Sequence, residues 1–310
     1  IPVFASPYQH HHSVAEIILS SLVLLARQIG DRSREIHRGD WNKVSSNCFE
    51  VRGKTLGIIG YGHVGSQLGI MAEALSLKVI FYDNVSLMPI GCAEPRDTLE
   101  LLLREADFVA VNVSAIPENV KMMGQAQFAI MKKGSYVINT SFGDAIDINA
   151  LADAIKSGHI GGAYLDVYPA SLQSRNSTFQ CPLQGLKNVL MTPSIADKTV
   201  EARERVGTEV GMFLRNYLYD GSTVGAVNFP NIVAKPIQPG TRRVLNMHRN
   251  IRGVLNEISN ILSAYNVGRQ ILDTKDGMGY LLVDVATEHV SNEIVSQLAM
   301  LANSIRSRIL

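Results

Sequence analysis

The stretch Thr55-Leu-Gly-Ile-Ile-Gly-Tyr-Gly-His-Val-Gly65 predicts a buried strand that runs into a glycine-rich turn and then a helix. Gly60 permits the tight turn, Gly62 lets a phosphate approach the backbone, and Gly65 lets the helix pack on the strand. The first N–H groups of such a helix can bind phosphate oxygens, and the place of His63 in the turn suits the same contact. The pattern is typical of a dinucleotide-binding turn.

An acidic residue closes the next predicted strand, Lys78-Val-Ile-Phe-Tyr-Asp83. A carboxylate about 20 residues beyond the glycines is placed to bind a ribose 2′-hydroxyl. Because Asp83 is acidic rather than basic, the sequence favours NAD over NADP as the cofactor.

Composition excludes several other classes of protein. The chain has 310 residues and a net charge of +1 without a long basic run, so neither a nucleic acid nor a membrane surface is expected as a partner. The apolar stretch from Val14 to Ala26 is too short to cross a bilayer and predicts a core helix. Because the chain starts at Ile1 rather than Met, we expect a fragment or a processed product.

The three cysteines, Cys48, Cys92 and Cys181, lie far apart and have no metal-binding spacing. We therefore expect no metal site, and reduced thiols in a cytoplasmic protein. His10 to His12 could suggest a metal site, but adjacent histidines on an extended loop point in different directions, so a solvated loop is the preferred interpretation.

From Lys54 onward, short apolar strands alternate with helical segments, which predicts an α/β fold with a doubly wound parallel sheet of the Rossmann type. Before this region, Ser13 is the predicted N-cap of a helix that ends at Ile29, with Glu16 in a capping box. Asp147 is the predicted N-cap of a later helix that Gly158 ends. The predicted strands are 55–60, 78–83, 107–114, 136–141, 162–167 and 188–192, and a long helix over 199–219 closes the region.

Three regions are expected. Residues 1–219 would form the NAD-binding domain with flanking helices. Residues 220–241 are rich in Gly, Pro and Asn and have the composition of a linker. Residues 242–310 alternate as a βαββαβ unit, a small module that often dimerises.

Ligands bind beyond the carboxyl ends of the strands in open parallel sheets. Those ends supply good cofactor-binding residues, including the glycine turn, Asp83 and Asp166. Hydride transfer to a hydroxy acid also needs a proton donor, usually His, and a fixed cation for the carboxylate. Neither is found at these strand ends.

Several motifs together resemble the D-3-phosphoglycerate dehydrogenases, a group of D-isomer-specific 2-hydroxyacid dehydrogenases. They are Gly53 to Gly65, Val137-Ile-Asn-Thr-Ser141, Ala163-Tyr-Leu-Asp-Val-Tyr-Pro169, Thr192-Pro193 and Val227-Asn-Phe-Pro230. Trp41-Asn-Lys-Val44 and Glu50-Val-Arg-Gly53 resemble the fungal and bacterial form, in which a small ACT domain follows the nucleotide domain. The resemblance covers Ile1 to Leu310. It implies a further N-terminal segment that would form most of the substrate domain.

The resemblance also implies three catalytic positions, and all three are substituted here. Phe142 stands where the family has Arg, Ser171 where it has Glu, and Ser194 where it has the His after Thr-Pro. An apolar ring cannot replace a guanidinium, and a serine without an adjacent base is a poor proton shuttle at neutral pH. The candidates to replace the missing groups are His63, Asp144, Asp166 and Lys198, but an ordinary surface or cofactor-side residue is the preferred interpretation of each, because none stands at the family's proton-relay positions.

The cofactor positions implied by the resemblance are better kept. His63 and Val64 match the pyrophosphate turn, Asp83 the ribose contact, and Asp166 a contact near the nicotinamide. Further positions with altered side chains are Thr140, Ser141, Ser194, Ile195, Ala196 and Asp197.

The last seventy or so residues resemble an ACT domain of the serine-sensing type. His248-Arg-Asn-Ile-Arg-Gly-Val-Leu255 matches its effector motif, which implies that His248 and Asn250 bind serine or another small amino acid at a dimer interface. A dimerisation module without a ligand is the alternative.

Two functions remain open at this point. One is an NAD-binding, catalytically impaired homologue that acts as a regulatory or scaffold subunit of a homo- or hetero-oligomer. The other is an active NAD-dependent dehydrogenase of serine biosynthesis that converts 3-phosphoglycerate to 3-phosphohydroxypyruvate. A corepressor-like scaffold follows only by analogy with NAD-binding relatives that bind proteins.

Overall fold

The computed structural model describes residues 1–43, 45–172, 178–286 and 292–310. Its helices are α1 (His11–Ala26), α2 (Ile29–His37), α3 (His63–Ala74), α4 (Leu99–Glu105), α5 (Gln125–Ile130), α6 (Ile148–Lys156), α7 (Val200–Tyr219), α8 (Val254–Leu262) and α9 (Asn292–Met300). Its strands are β1 (Thr55–Ile59), β2 (Lys78–Tyr82), β3 (Glu94–Pro95), β4 (Phe108–Val111), β5 (Ser135–Asn139), β6 (Ile160–Leu165), β7 (Val189–Met191), β8 (Thr241–Arg249), β9 (Val267–Lys275), β10 (Met278–Ala286) and β11 (Ser304–Ile309).

The chain divides into two compact units. One, the parallel-sheet unit, contains Tyr8–Arg203, and the other, the antiparallel-sheet unit, contains Ile1–Pro7 together with Glu204–Leu310. The predicted linker 220–241 lies within the second of these units.

The parallel-sheet unit is built on seven parallel strands in the order β3-β2-β1-β4-β5-β6-β7. Branched apolar residues on alternate sides of each strand bury against helices on both faces. Ile58, Ala110 and Ile138 pack with α1 and α3, whereas Val109 and Val137 pack with α4, α5 and α6. The order of the strands reverses between β1 and β4, which places a ligand-binding crevice at the carboxyl ends of these two strands. The predicted α/β fold is confirmed.

The first helix differs from the prediction. It begins at His11 and ends at Ala26, and α2 follows after Gln28 in the left-handed conformation. Ser13 is not the N-cap: it is buried within α1, where its hydroxyl lies 2.8 Å from that of Thr199. Glu16 does not form a capping box, because it lies 3.1 Å from His12 Nε2 one turn earlier.

The residues before α1 also differ from the expected solvated loop. Phe4 forms only an isolated bridge to Ala226. His11 and His12 belong to the first turn of α1 rather than to a loop.

In the antiparallel-sheet unit, four strands pair in the order β11-β8-β10-β9. α8 and α9 cover one face, on which Val244, Val283 and Ile294 are buried. Phe229 and Ile232, from the predicted linker, pack on the other face against Leu245, Tyr280 and Leu282. The βαββαβ order of elements agrees with the prediction for 242–310.

Candidate functional site

The three glycines of the turn have three different surroundings. Gly60 has φ of +88°, and a Cβ there would lie 2.5 Å from the Asn112 carbonyl oxygen, so only glycine fits without strain. A Cβ on Gly65 would lie 2.3 Å from the Gly60 carbonyl oxygen, because α3 packs closely on β1. A Cβ on Gly62 would meet no atom of the described residues within 4 Å. The backbone is therefore open at Gly62, where a pyrophosphate would approach.

Asp83 is held beside this turn at the end of β2. Its Oδ2 accepts a hydrogen bond from the Tyr61 backbone N–H at 2.8 Å, and its Oδ1 accepts one from the Val85 N–H at 3.3 Å. The carboxylate remains partly exposed. This geometry fixes an acceptor at the crevice, as contact with a ribose hydroxyl requires.

The His63 side chain stands exposed at the start of α3, next to Val64. Its ring centroid lies 4.1 Å from that of Tyr8 and 6.3 Å from that of His11. The first N–H groups of α3 have no intrahelical acceptor, and the Gly62 N-cap offers no side-chain acceptor. The turn therefore presents both backbone donors and an imidazole to an anion.

The loop after β5 carries Thr140, Ser141 and Phe142, and Asn139 organises it. Asn139 is fully buried. Its Oδ1 accepts from the Ser141 N–H at 3.0 Å and from the Ser141 hydroxyl at 2.8 Å, and its Nδ2 donates to the Phe142 carbonyl at 3.0 Å. Phe142 is half-buried and packs against the apolar core that α4, α5 and α6 share.

Asp166, at the end of β6, is 2% exposed and binds the loop after β7. Its Oδ1 accepts from the Thr192 hydroxyl at 2.5 Å and the Ile195 N–H at 2.9 Å, and its Oδ2 accepts from the Ala196 N–H at 2.9 Å. Because the Thr192 proton goes to Asp166, the Tyr164 hydroxyl, 2.8 Å away, donates to Thr192. Burial raises the pKa of Tyr164 to about 12, so this hydroxyl stays protonated.

The three substituted positions lie on three loops that contact one another. A Cβ on Gly143, next to Phe142, would lie 1.9 Å from the Tyr168 carbonyl, so the loops after β5 and β6 touch there. The Ser194 N–H donates to the Asp166 carbonyl at 2.8 Å, which joins the loops after β6 and β7.

Ser171 and Ser194 are exposed. Ser194 has φ of +55°, and its carbonyl accepts from Lys198 Nζ at 2.6 Å. Ile195 is 43% exposed beside it, whereas Ala196 is buried, and Asp197 lies 3.9 Å from Lys198. These two loops therefore present hydroxyl, aliphatic and ammonium groups, but neither the Glu nor the His that the resemblance implies.

Two buried polar atoms at the same edge have no partner among the described residues: Asn112 Nδ2 after β4 and Thr140 Oγ1 after β5. Such atoms are uncommon in native structures and are usually satisfied by water or a ligand. Together with the opening at Gly62 and the fixed Asp83 carboxylate, they show that the residues present fit a dinucleotide across the crevice.

In the antiparallel-sheet unit, His248 is buried and Asn250 is exposed. His248 Nδ1 lies 2.9 Å from Asn246 Oδ1, and Asn246 Nδ2 donates to the hydroxyls of Ser304 and Ser307 at 2.8 Å each. His248 Nδ1 therefore donates, which leaves Nε2 as an acceptor, and Nε2 is without a partner in the described part of the chain. Burial lowers the pKa of His248 and favours the neutral ring.

Sequence reasoning missed the residues that support the site. The sequence assigned no role to four residues at this edge of the sheet. Asn139, Tyr164 and Thr192 position loops, and Asn112 lies at the crevice. The available signal was their place at strand ends, next to the predicted ligand contacts.

Across residues 1–43, 45–172, 178–286 and 292–310, no group of three or more His, Cys, Asp or Glu side chains could hold a metal ion. The same ranges contain no single helix that is long and apolar enough to span a bilayer, although α1 and α2 reach that length together across a 68° bend.

Comparison with known proteins gives a consistent result. The family model for the D-isomer specific 2-hydroxyacid dehydrogenase, NAD binding domain, matches residues 19–196. A D-3-phosphoglycerate dehydrogenase of Dictyostelium discoideum is 44% identical over the whole chain, which covers 76% of that relative. The D-3-phosphoglycerate dehydrogenase of Escherichia coli K12 is 42% identical with the same two coverages.

Solved structures agree with the sequence relatives. A D-lactate dehydrogenase from Aquifex aeolicus, complexed with NAD and lactic acid, superimposes with a TM-score of 0.63 at 25% identity. The match covers 70% of this chain and 69% of that one. NAD is therefore the cofactor of this chain.

Proposed function

This chain belongs to the D-isomer specific 2-hydroxyacid dehydrogenase family, and we propose that it is a phosphoglycerate-dehydrogenase-like NAD-binding protein with impaired dehydrogenase catalysis. Its role would be that of a regulatory or scaffold subunit, either of a homo-oligomer or joined to an active relative. Bound NAD supplies the hydride acceptor in this family. The residues of this chain bind and orient it, but they do not complete the substrate side.

The observation that carries the proposal is the placement of Phe142. Its ring packs into the core at the position where the family has an arginine, so the loop offers a substrate carboxylate no guanidinium. The side chains at the other two positions, Ser171 and Ser194, are exposed hydroxyls. A positioned acid or base contributes roughly 10² to 10⁴ in rate, and a preorganised charged donor about 10² to 10³. Losing these groups does not reduce the rate by the product of the separate factors, because they act as a unit. Losing all three should still leave little turnover.

The candidates for a replacement base are poorly placed. Both carboxylate oxygens of Asp166 accept bonds from the loop after β7, and the residue is 2% exposed. Lys198 donates to the Ser194 carbonyl. His63 stands at the glycine turn beside Tyr8. Asp166 and Lys198 are thus engaged in contacts within the protein, and His63 lies at the glycine turn rather than at the substituted positions.

The test is the oxidation of NADH by the full-length natural chain supplied with phosphohydroxypyruvate, at high protein concentration. We expect turnover at least a hundredfold below the roughly 10 per second of a typical enzyme. The triple variant F142R/S171E/S194H should gain activity by two orders of magnitude or more. F142L is the matched control, because it stays apolar in the same core and should gain nothing.

NADH fluorescence titration of each variant shows whether the cofactor domain is still folded. Turnover of the unchanged protein within tenfold of a typical enzyme would overturn the proposal.

An active dehydrogenase is the second candidate, and the relatives favour it. The two relatives above, at 42% and 44% identity, carry the name D-3-phosphoglycerate dehydrogenase. In that case Lys198, whose Nζ donates to the Ser194 carbonyl at 2.6 Å, is a cation beside the position of the missing histidine. Loss of turnover in Lys198→Met with unchanged NADH affinity would support this candidate.

We further propose that the antiparallel-sheet unit is an ACT domain that binds serine or a similar small amino acid. The neutral His248 ring has a buried acceptor, Nε2, that fits an ammonium or hydroxyl donor. Asn250 lies exposed two residues further on, where its amide can hydrogen-bond a carboxylate. β9 and β11 are the edge strands of this sheet, and an edge strand is where a second subunit would pair.

Calorimetric titration with L-serine tests this second proposal. Asn250→Ala should weaken serine binding about tenfold, which is the worth of one charge-assisted hydrogen bond. Asn256→Ala, an exposed amide on α8, is the matched control. If the wild-type protein shows no heat of binding with any small amino acid, the unit is a dimerisation module only.

A further inference from the structure

A groove lies at the opposite edge of the parallel sheet from the glycine turn. Its wall includes residues that begin or precede strands, among them Lys54, Asp107, Ser135, Ile160 and Asn188. All of these belong to the amino ends of β1, β4, β5, β6 and β7. The groove has a volume of about 1270 Å³, which is enough for a ligand of nucleotide size.

The groove is strongly cationic although the whole chain is close to neutral. Five lysines and three arginines line it against three carboxylates. Arg38 and Lys156 also lie 3.6 and 3.9 Å from Asp40 and Asp153 beside the groove, which leaves three lysines of the lining without a carboxylate partner among the described residues. The net charge of the entire chain is +1. Like charges gathered in one concave surface repel each other, so such a cluster is best stabilised by an anion.

Each of the three carboxylates has one cationic partner, although Glu35 Oε2 is buried without a hydrogen-bond partner among the described residues. Asp31 binds Arg34, Glu35 binds Arg32 at 2.7 Å, and Asp107 binds Lys132 at 3.1 Å.

Two of the remaining cations are free to bind a ligand. Within the described ranges, neither Lys133 nor Lys187 has an ion-pair partner, and both side chains are exposed on the groove wall. Lys54 lies over the Phe49 ring at 5.3 Å rather than beside a carboxylate.

Buried donors without partners give independent evidence. Ser135 is 2% exposed, forms part of the groove wall and directly follows Lys132-Lys133-Gly134. Its hydroxyl, and Arg32 Nε on the same wall, have no hydrogen-bond partner in the part of the chain that is described. A native protein leaves few such groups unsatisfied, so a ligand oxygen or a water that a ligand orders is the expected partner.

We propose that this groove is a second binding site, distinct from the cofactor crevice, for a small molecule that carries two or more phosphate groups. Lys133 and Lys187 bind its phosphates as free ammonium groups, and Arg32 and Lys132 add charge at fixed positions. Two or more phosphates fit best because three lysines of the groove, Lys54, Lys133 and Lys187, have no carboxylate partner among the described residues. The concave shape and limited volume favour a small molecule over a nucleic acid.

Inorganic tripolyphosphate is the probe for the test. Calorimetric titration of the full chain is carried out at constant ionic strength and with saturating NADH, so that the pyrophosphate turn is occupied. We expect saturable binding that K133Q/K187Q weakens tenfold or more, since each charged hydrogen bond contributes about that factor. K235Q/R242Q removes two exposed positive charges from the antiparallel-sheet unit and should leave the affinity unchanged.

Three outcomes would overturn the proposal. They are no saturable binding with or without NADH, equal weakening in both double variants, and binding that is seen only when NADH is left out. Comparing inorganic phosphate, ADP and tripolyphosphate then distinguishes an inorganic from an organic source of the phosphates. Because none of these readouts involves dehydrogenase turnover, the result is independent of the proposed function.

Discussion

The Thr192 hydroxyl donates to the Asp166 carboxylate at 2.5 Å, across 26 residues of sequence, and fixes the loop that carries Ser194. The same carboxylate also accepts the N–H groups of Ile195 and Ala196. An acid that the sequence suggests as a cofactor contact is thus a positioning residue, whose oxygens are used within the protein. The cofactor contact near the nicotinamide stays a prediction for Asp166 itself.

Asp166→Asn should destabilise the parallel-sheet unit by about 2–4 kcal/mol, because an amide cannot accept all three bonds and buries a misplaced donor. Urea denaturation measures the change. Thr192→Val removes only one donor and should cost about 1–2 kcal/mol. If the two variants lose the same stability, Asp166 does not organise the loop.

Gly62→Ala and Gly65→Ala should separate cofactor binding from folding. The Cβ at Gly62 enters open space, so the variant should fold normally but bind NADH at least tenfold more weakly, because the methyl group stands where the pyrophosphate approaches. The Cβ at Gly65 would lie 2.3 Å from the Gly60 carbonyl oxygen, so that variant should lose thermal stability. NADH fluorescence and thermal unfolding measure the two effects. Normal NADH affinity in Gly62→Ala would contradict the assigned role of the turn.

The sequence predicted those structural features whose contacts lie within a few residues of one another along the chain. The glycine turn and the Asp147 cap each lie within a few positions of the groups they serve. The start of α1 was predicted wrongly because Ser13, a good N-cap residue by type, contacts Thr199, which is 186 residues away. The Asp166 network and the packing of Phe229 on the second sheet depend on equally distant partners. Without an alignment or a structure, the sequence does not show such contacts.

Asp147→Ala should cost about 1 kcal/mol, the usual value of an N-cap. The Asp147 carboxylate accepts from the Asn149 and Ala150 N–H groups at 3.1 and 3.2 Å, and these bonds, chiefly that from Ala150, lower its pKa. Its contribution is therefore complete above the pKa of an unfolded aspartate, about 3.9, and is lost as the pH falls through the lower folded value.

Denaturation at several pH values compares this variant with Asp153→Ala, an exposed carboxylate on the same helix. The stability difference between Asp147→Ala and the wild type should shrink in acid. A difference that stays constant down to pH 2 would contradict the capping role.

Arg243→Met should destabilise the antiparallel-sheet unit by about 3–5 kcal/mol, because it removes both hydrogen bonds to the buried Asp284 carboxylate and leaves only a longer contact with Arg269. Arg243 is fully buried and binds Asp284 on the neighbouring strand through Nε at 2.6 Å and Nη2 at 2.8 Å, and its Nη1 donates to the Asp220 carbonyl at 2.8 Å. Arg269 lies 3.7 Å from the same carboxylate and is 30% exposed, so Arg269→Met should cost about 1 kcal/mol or less. Urea denaturation ranks the two variants. Equal losses would mean that the two arginines share Asp284, rather than that one bidentate pair joins β8 to β10.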